Sequence, residues 1–501
     1  MSRTYVALDL ETTGLNPEAD AITEVAAVRF TGDGAMGDSY ATLVNPGRPI
    51  PPVVQEITGI RDTDVAQAPM VGEIADALRA FVAGATIVGH NVGFDLAFLR
   101  RAGLPFDTPA IDTAELSRVL MPDKSPRGLM ELAAALGTLA EEHHRALPDA
   151  RTAARVFLAL QERAEGIGPA LRIQLARLVS LDNLTLAEVI AGEGWESIPP
   201  AERGGPGVRP SPSFPALVKL EPRSPVLPSE TRRVFARGSG ALSGFEERPE
   251  QLAVAETVTG ALSNGGHWLI EAGTGVGKSL AYLIPAALFA LRNGERVVVS
   301  TNTLNLQEQL LRKDIPAVRK MLQDAGIIEE AEDLRVAVLK GRSNYLCLRR
   351  WTASYGASLA DPDFNRLAAS LLLWLPETET GDRSELNLGN AAWQSWQRFS
   401  AQDTDCLARP NAYVKEGLCF LQRARKAAES AHIVIVNHAL LLADIASGGS
   451  ALPPFDHLVV DEAHNLEDQA TQQFGGSVSR RLMMDALDGL HRRGGREQRE
   501  G

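Results

Sequence analysis

Nine of the chain's 29 prolines fall between Pro199 and Pro228, interleaved with Gly, Ser and Arg. Proline removes an amide donor and fixes φ, so such a stretch cannot cross a helix interior or a central strand. With few large apolar side chains it cannot build a core either, and it reads as an extended linker. The 501 residues must therefore form at least two separately folded parts, as their number also suggests. The expected division is a first domain over 1–165, a helical appendage and linker over 166–244, and a second domain over 245–470. An insertion interrupts the second domain at about 341–430, and residues 471–501 form a tail without a core-forming pattern.

Both flanks of the linker alternate strand-like and helix-like segments, which predicts α/β domains. In the first, YVALDL, ITEVAAVRF (22–30) and TIVGHN (86–91) read as strands, and DLAFLRRAG (95–103) as a helix ending at Gly103. A last helix follows from the apolar stripe Ala150, Ala153, Val156, Phe157 and Leu160. In the second, HWLIEAGTGVGKS (267–279) reads strand, loop, helix; ERVVVST (295–301) and DHLVVDEAH (456–464) read as buried parallel-type strands. IVIVNHALLL (433–442) reads as a strand running into a helix. LRIQLARLVSLDNLTLAEVI (171–190) is the helical appendage.

YVALDLETTG (5–14) raises the chemical question: it reads as a buried strand, yet carries Asp9 and Glu11. Residues i and i+2 of a strand share a face, about 6–7 Å apart. Two carboxylates in apolar surroundings need a compensating cation. GHNVGFD places Asp95 near the end of a strand, and HRALPD places His144 five residues before Asp149 at the start of the last helix. Four carboxylates from three separate elements are the parts of a two-metal site, in which paired Mg²⁺ or Mn²⁺ ions serve an in-line displacement at phosphorus. A histidine of near-neutral pKa suits the proton of the attacking water. In that order, DLETTG, HNVGFD and HRALPD resemble the three exonuclease motifs of the DnaQ-like family. The resemblance covers about residues 4–165 and implies a ribonuclease-H-like fold and 3′→5′ exonuclease activity. It also implies Asp9, Glu11, Asp95 and Asp149 as metal ligands and His144 as general base. Thr12, Thr13 and Gly14 would approach the terminal nucleotide, with Leu15 and EITGI (56–60) near its base.

AGTGVGKS (272–279) fits a phosphate loop with Ala272 in place of the first glycine. Gly273, Gly275 and Gly277, with Thr274 among them, allow a tight loop whose amides face phosphate oxygens at a helix start. Lys278 would reach the β/γ-phosphates and Ser279 would ligate magnesium. VVDEAH (459–464) adds Asp461 for magnesium and Glu462 to orient a water. These motifs, with RPEQ (248–251), STNTLNLQEQLL (300–311), KGRSNYLC (340–347) and VNHALLLAD (436–444), resemble the DinG family of DNA helicases, relatives of the XPD type. The resemblance implies a P-loop NTPase (RecA-like) domain that binds ATP, with Gln251 at the adenine. Residues for that family's second motor domain do not follow in the sequence, so the expectation is nucleotide binding with little hydrolysis. Some members hold a [4Fe–4S] cluster on four cysteines; this chain has three, Cys347, Cys406 and Cys419, and the reading is against a stable cluster.

Lys340, Arg342, Tyr345, Arg349, Arg350 and Trp351 are set against two readings: a track for a single strand, or an ordinary charged face. The net charge of −13 means that nucleic acid would be held by local basic patches. No signal peptide is visible, and the longest apolar run, 280–291, is too short for a membrane span. The expected protein is cytoplasmic, with DNA as partner, single-stranded or with a 3′ end, and no membrane partner. Three alternatives stay open: an RNA exonuclease, an ATP-regulated DNA-binding module and an inert helicase fragment.

Overall fold

A computed structural model describes residues 3–122, 128–139, 145–181, 183–198, 207–213, 215–238, 248–273, 275–354, 361–386, 388, 390–402, 411–475, 480, 483 and 487. It divides into two units, residues 1–210 with 346–418, and residues 211–345 with 419–501.

The first unit is built on strands β1 (Thr4–Thr12), β2 (Ile22–Thr31), β3 (Met36–Leu43), β4 (Thr86–Gly89) and β5 (Ala110–Asp112), ordered β3-β2-β1-β4-β5. β1, β2 and β3 pair antiparallel, whereas β4 and β5 add parallel to them. This is the ribonuclease-H-like arrangement that the motifs imply. Both faces are covered, which suits the continuous apolar runs of β1 and β4. On one face Tyr5, Phe30 and Phe157 meet as an aromatic cluster beneath the helix Ala146–Glu165. On the other, Val6, Leu8, Ile87, Leu78, Phe98 and Leu99 pack together. The appendage is two helices, Pro169–Val179 and Leu184–Ala191, whose Leu175, Ala176, Leu186 and Ile190 extend the first core.

The second unit holds β6 (Val297–Thr301), β7 (Val336–Val338), β8 (Ile433–Asn437) and β9 (His457–Val460) in an all-parallel sheet ordered β7-β8-β6-β9. The helix Lys278–Asn293, apolar almost all round, is buried against it.

Three sequence expectations change. HWLIEA (267–272) forms no strand: Leu269 is 96% exposed and Trp268 56%. A strand exists only through a ladder partner; here β9 pairs with β6, and among the described residues no strand pairs on its other side. DHLVV is parallel as expected, but it is an edge strand and half-buried. The linker segment expected over 166–244 ends early: the described residues of the proline-rich stretch form no helix or strand up to Leu227, but Pro228–Gly238 is a helix that buries Val234 and Phe235 in the second core.

The insertion also divides differently from the expected boundaries, since residues 346–418 group with the first unit. Its helix Pro362–Trp374 packs on Thr113–Leu120 and Pro169–Val179. Ala369 enters the first core, the Ser370 hydroxyl donates to the Arg118 carbonyl at 2.9 Å, and Arg366 pairs with Glu115 at 2.6 Å.

Candidate metal centre and phosphate loop

Asp9 and Glu11 project from the end of β1, where the ladder to β2 slips between Glu11 and Thr12. Such irregularities re-aim side chains beside active sites. Asp149 arrives in the first turn of the helix Ala146–Glu165. Ligand atoms of Asp9, Glu11 and Asp149 all lie within 4.8 Å of one another. Asp95 stands in the first turn of the helix Val92–Arg101, entered through Asn91 in the left-handed region at φ 60°. It is buried, and its Oδ1 accepts the Leu10 amide at 3.1 Å.

Burial, then the like charges of Asp95 and Asp149, pushes the Asp9 carboxyl well above its usual range. Burial, Asp149 and Glu24 take Glu11 to about 7, opposed by Arg145. Burial takes Asp95 to about 8 against the Leu10 amide, which favours its ionised form. Carboxylates that raise one another in this way form a hard-oxygen donor set suited to Mg²⁺ or Mn²⁺. The residues fit the ions that the sequence implies.

The DLETTG turn folds back on itself. The Thr13 amide donates to the Ala21 carbonyl at 2.8 Å, and the Ala21 amide to Thr13 Oγ1 at 3.0 Å. A β-carbon on Gly14 would lie 2.4 Å from the Asp20 carboxylate, so a larger residue there would have to displace the Asp20 side chain. The next side chain, Leu15, is 86% exposed. In EITGI, Ile57 is exposed and Ile60 buried, with Gly59 closing the helix Pro52–Thr58 in the left-handed region. His144 lies outside the described residues.

In the second unit Lys278 Nζ meets Glu462 Oε1 at 3.0 Å. Tyr282 donates to Asp461 Oδ2 at 3.0 Å. Glu462 itself adopts the left-handed region at φ 54°, a strained conformation for a non-glycine residue and frequent at functional positions. The loop glycines Gly275 and Gly277 are left-handed as well. Ser279 follows Lys278 in the first helical turn. Gln251 is buried, and its Nε2 donates to the Gly277 carbonyl at 2.8 Å, so it braces the loop. Thr274 and Cys406 lie outside the described residues; among the described residues Cys347 and Cys419 form no disulfide, and both are partly buried.

Of the six residues set against a single-strand track, Arg342, Arg349 and Arg350 are partly exposed and the other three are buried. Lys340 is buried and pairs with Glu308 at 2.9 Å, while Tyr345 and Trp351 are core residues. The motifs left two further side chains unannounced. Glu24, on β2, is buried beside the carboxylate cluster. Asp314 closes a π-helical turn, Leu310–Asp314, and is buried with Oδ2 lacking a partner among the described residues. Burial raises its carboxyl, and hydrogen bonding with Ser279 opposes that shift.

Residues 6–157 match the family model described as Exonuclease (RNase T). The chain is 33% identical over 486 residues to the protein named 3'-5' exonuclease DinG of Bacillus subtilis (strain 168), covering 94% of this chain and 51% of that protein. It is 29% identical over 487 residues to the protein of the same name from Staphylococcus aureus (strain MRSA252), covering 95% and 52%. Among solved structures, Exonuclease X in complex with 5' overhanging duplex DNA is 27% identical, with 33% of this chain and 94% of that chain covered and a TM-score of 0.28. The chain spans about half the length of the curated relatives it matches. It is a homologue of the proteins named 3'-5' exonuclease DinG, and its exonuclease-family match lies in the first unit.

Proposed function

We propose that the first unit removes nucleotides from the 3′ end of DNA by cation-dependent hydrolysis of the terminal phosphodiester. The supporting observation is the convergence of Asp9, Glu11 and Asp149 within 4.8 Å, inside the exonuclease-family match. Asp9, Glu11, Asp95 and Asp149 would hold the cations, which when bound neutralise charge on the attacking and departing oxygens. The chain's own residues do the rest. The Leu10 amide fixes Asp95, the DLETTG turn presents backbone to the last nucleotide, and exposed Leu15 offers an apolar surface to its base. His144, next to Arg145 in sequence, takes the proton of the attacking water.

The test is hydrolysis of end-labelled single-stranded DNA and RNA with Mg²⁺ or Mn²⁺. Asp9→Ala and Asp149→Ala are expected to lose nearly all cleavage, and His144→Ala to slow turnover by roughly 10²–10⁴-fold while keeping metal affinity. Unchanged cleavage in a folded Asp9→Ala protein overturns the assignment. The RNA arm decides between the two nucleic acids.

A second reading concerns the second unit, which we infer to be a P-loop, RecA-like domain that binds ATP. It rests on the meeting of Lys278 with Glu462 and of Tyr282 with Asp461, across about 180 residues of sequence. Ser279 and Asp461 would hold magnesium, which when bound neutralises phosphate charge. Lys278→Ala is expected to abolish nucleotide binding measured by calorimetry and to leave single-strand hydrolysis intact. Equal binding by the variant would remove the phosphate-loop reading.

A further inference from the structure

An ion pair that no motif announces borders the carboxylate cluster. Glu24 lies across the β1–β2 ladder from Glu11 and is 5% exposed. Its Oε1 accepts Arg145 Nη2 at 2.7 Å, and its Oε2 accepts Arg145 Nε at 3.0 Å and the Ala146 amide at 3.1 Å. The carboxylate is thus fully engaged in fixing Arg145 and the first turn of the helix that carries Asp149. Arg145 is held differently. Its planar fork has five N–H donors, two of which serve Glu24, and its side chain remains 49% exposed.

The charge balance gives that open edge a purpose. Asp9, Glu11, Asp95, Asp149 and Glu24 place five carboxylates in one region, while a nucleic acid brings further negative charge. Arg145 is the cation whose field reaches Glu11, and it also faces Asp64. A guanidinium gripped along one edge loses little further freedom when its other edge binds a phosphate. A pair serving only the helix start would not need a half-exposed cation, because the Ala146 amide already anchors that turn.

We propose that Arg145 is a substrate-binding residue: Glu24 grips one edge of its guanidinium and directs the other to a phosphate of the strand entering the carboxylate cluster. The proposal rests on the nuclease reading of that cluster. Arg145 touches substrate, and Glu24 is a positioning residue that acts through it.

The test uses the full chain and a fluorescein-labelled tetranucleotide of single-stranded DNA, too short to reach a distant site. Affinity is measured by anisotropy in Ca²⁺ across a salt series, and hydrolysis separately in Mn²⁺. Arg145→Ala is expected to weaken binding roughly 10–100-fold, the range of one charge-assisted contact. It should also lower the slope of log affinity against log salt by about 0.7, the loss of one phosphate contact on a single strand. Most of the loss in hydrolysis should fall in KM. Arg145→Lys, which keeps the charge without the fork, should restore the slope and only part of the affinity. Glu24→Gln should weaken binding with Arg145 still present. Unchanged affinity and slope in Arg145→Ala overturn the proposal even when the unaltered chain hydrolyses DNA. Failure of the unaltered chain to hydrolyse any 3′ end overturns the nuclease reading, and the proposal with it.

Discussion

Asp9, Glu11 and Asp95 make the metal-free protein sensitive to pH in a calculable direction. Glu11 sits at about 7 and Asp95 at about 8 in the fold, against roughly 4 in an unfolded chain. A raised folded value means that the native state binds the proton more tightly, so stability is complete below about pH 4 on account of these groups. It is lost progressively as pH rises toward 8. Thermal unfolding in EDTA is therefore expected to fall in midpoint between about pH 5 and 8, beyond what the rest of the chain contributes. Saturating Mn²⁺ should flatten that decline, because the cation replaces the protons. An Asp95→Asn protein with the same pH dependence in EDTA would contradict the assignment. The D-x-E pair, Asp95 and Asp149 were legible because each lies in a short local motif. Glu24 was not, since its partner Arg145 lies 121 residues away and only the packing of the helix Ala146–Glu165 on β2 brings them together.

At the scale of elements, composition described the linker's backbone and missed its contacts. Residues 218–226 run as a strap along the second unit. The Leu220 amide donates to the Asn293 carbonyl at 2.7 Å, and the Ser224 amide to Asn293 Oδ1 at 2.7 Å. Arg223 forks onto buried Glu295, and the Val226 amide reaches Ser263 Oγ at 3.0 Å. Prolines remove donors, but the residues between them keep theirs, and period-based reading does not see bonds that follow neither 2 nor 3.6 residues. Gly294 caps the Lys278–Asn293 helix at φ 60°, and a β-carbon there would sit 1.8 Å from the Val218 carbonyl oxygen. Gly294→Ala must then shift the strap, at a cost of roughly 1–3 kcal/mol from strain and lost contacts. Hydrogen exchange should report faster opening of residues 218–226 in this variant, with the first unit unchanged. The strands β1, β4, β6 and β8 were readable because their apolar runs pair inside sheets. HWLIEA carries the same signal, and among the described residues no strand pairs with it.

At the scale of the whole molecule, the first unit borrows part of its core from residues 346–418. Ala369 is fully buried there, next to the helices that follow β5 and the appendage. Ala369→Asp places an uncompensated carboxylate in that core, which typically costs several kcal/mol. Calorimetry is expected to show an earlier transition for the first unit, with the proposed exonuclease activity lost at temperatures that the unaltered chain tolerates. An unshifted transition would mean that this helix is not part of the unit's cooperative core.

The same interleaving sets a timetable for synthesis. The chain passes between units near residues 210, 345 and 418, so the first unit's sheet and the helices Thr113–Leu120 and Pro169–Val179 are translated long before the helix Pro362–Trp374 that packs on those two helices. At about 5–20 residues per second, the roughly 200 intervening residues occupy some 10–40 s of translation. During that interval the surface of Thr113–Leu120 and Pro169–Val179 that receives Ala369 faces water or a chaperone. The first unit's fold is begun first and closed late, after residues 211–345 of the second unit have been translated.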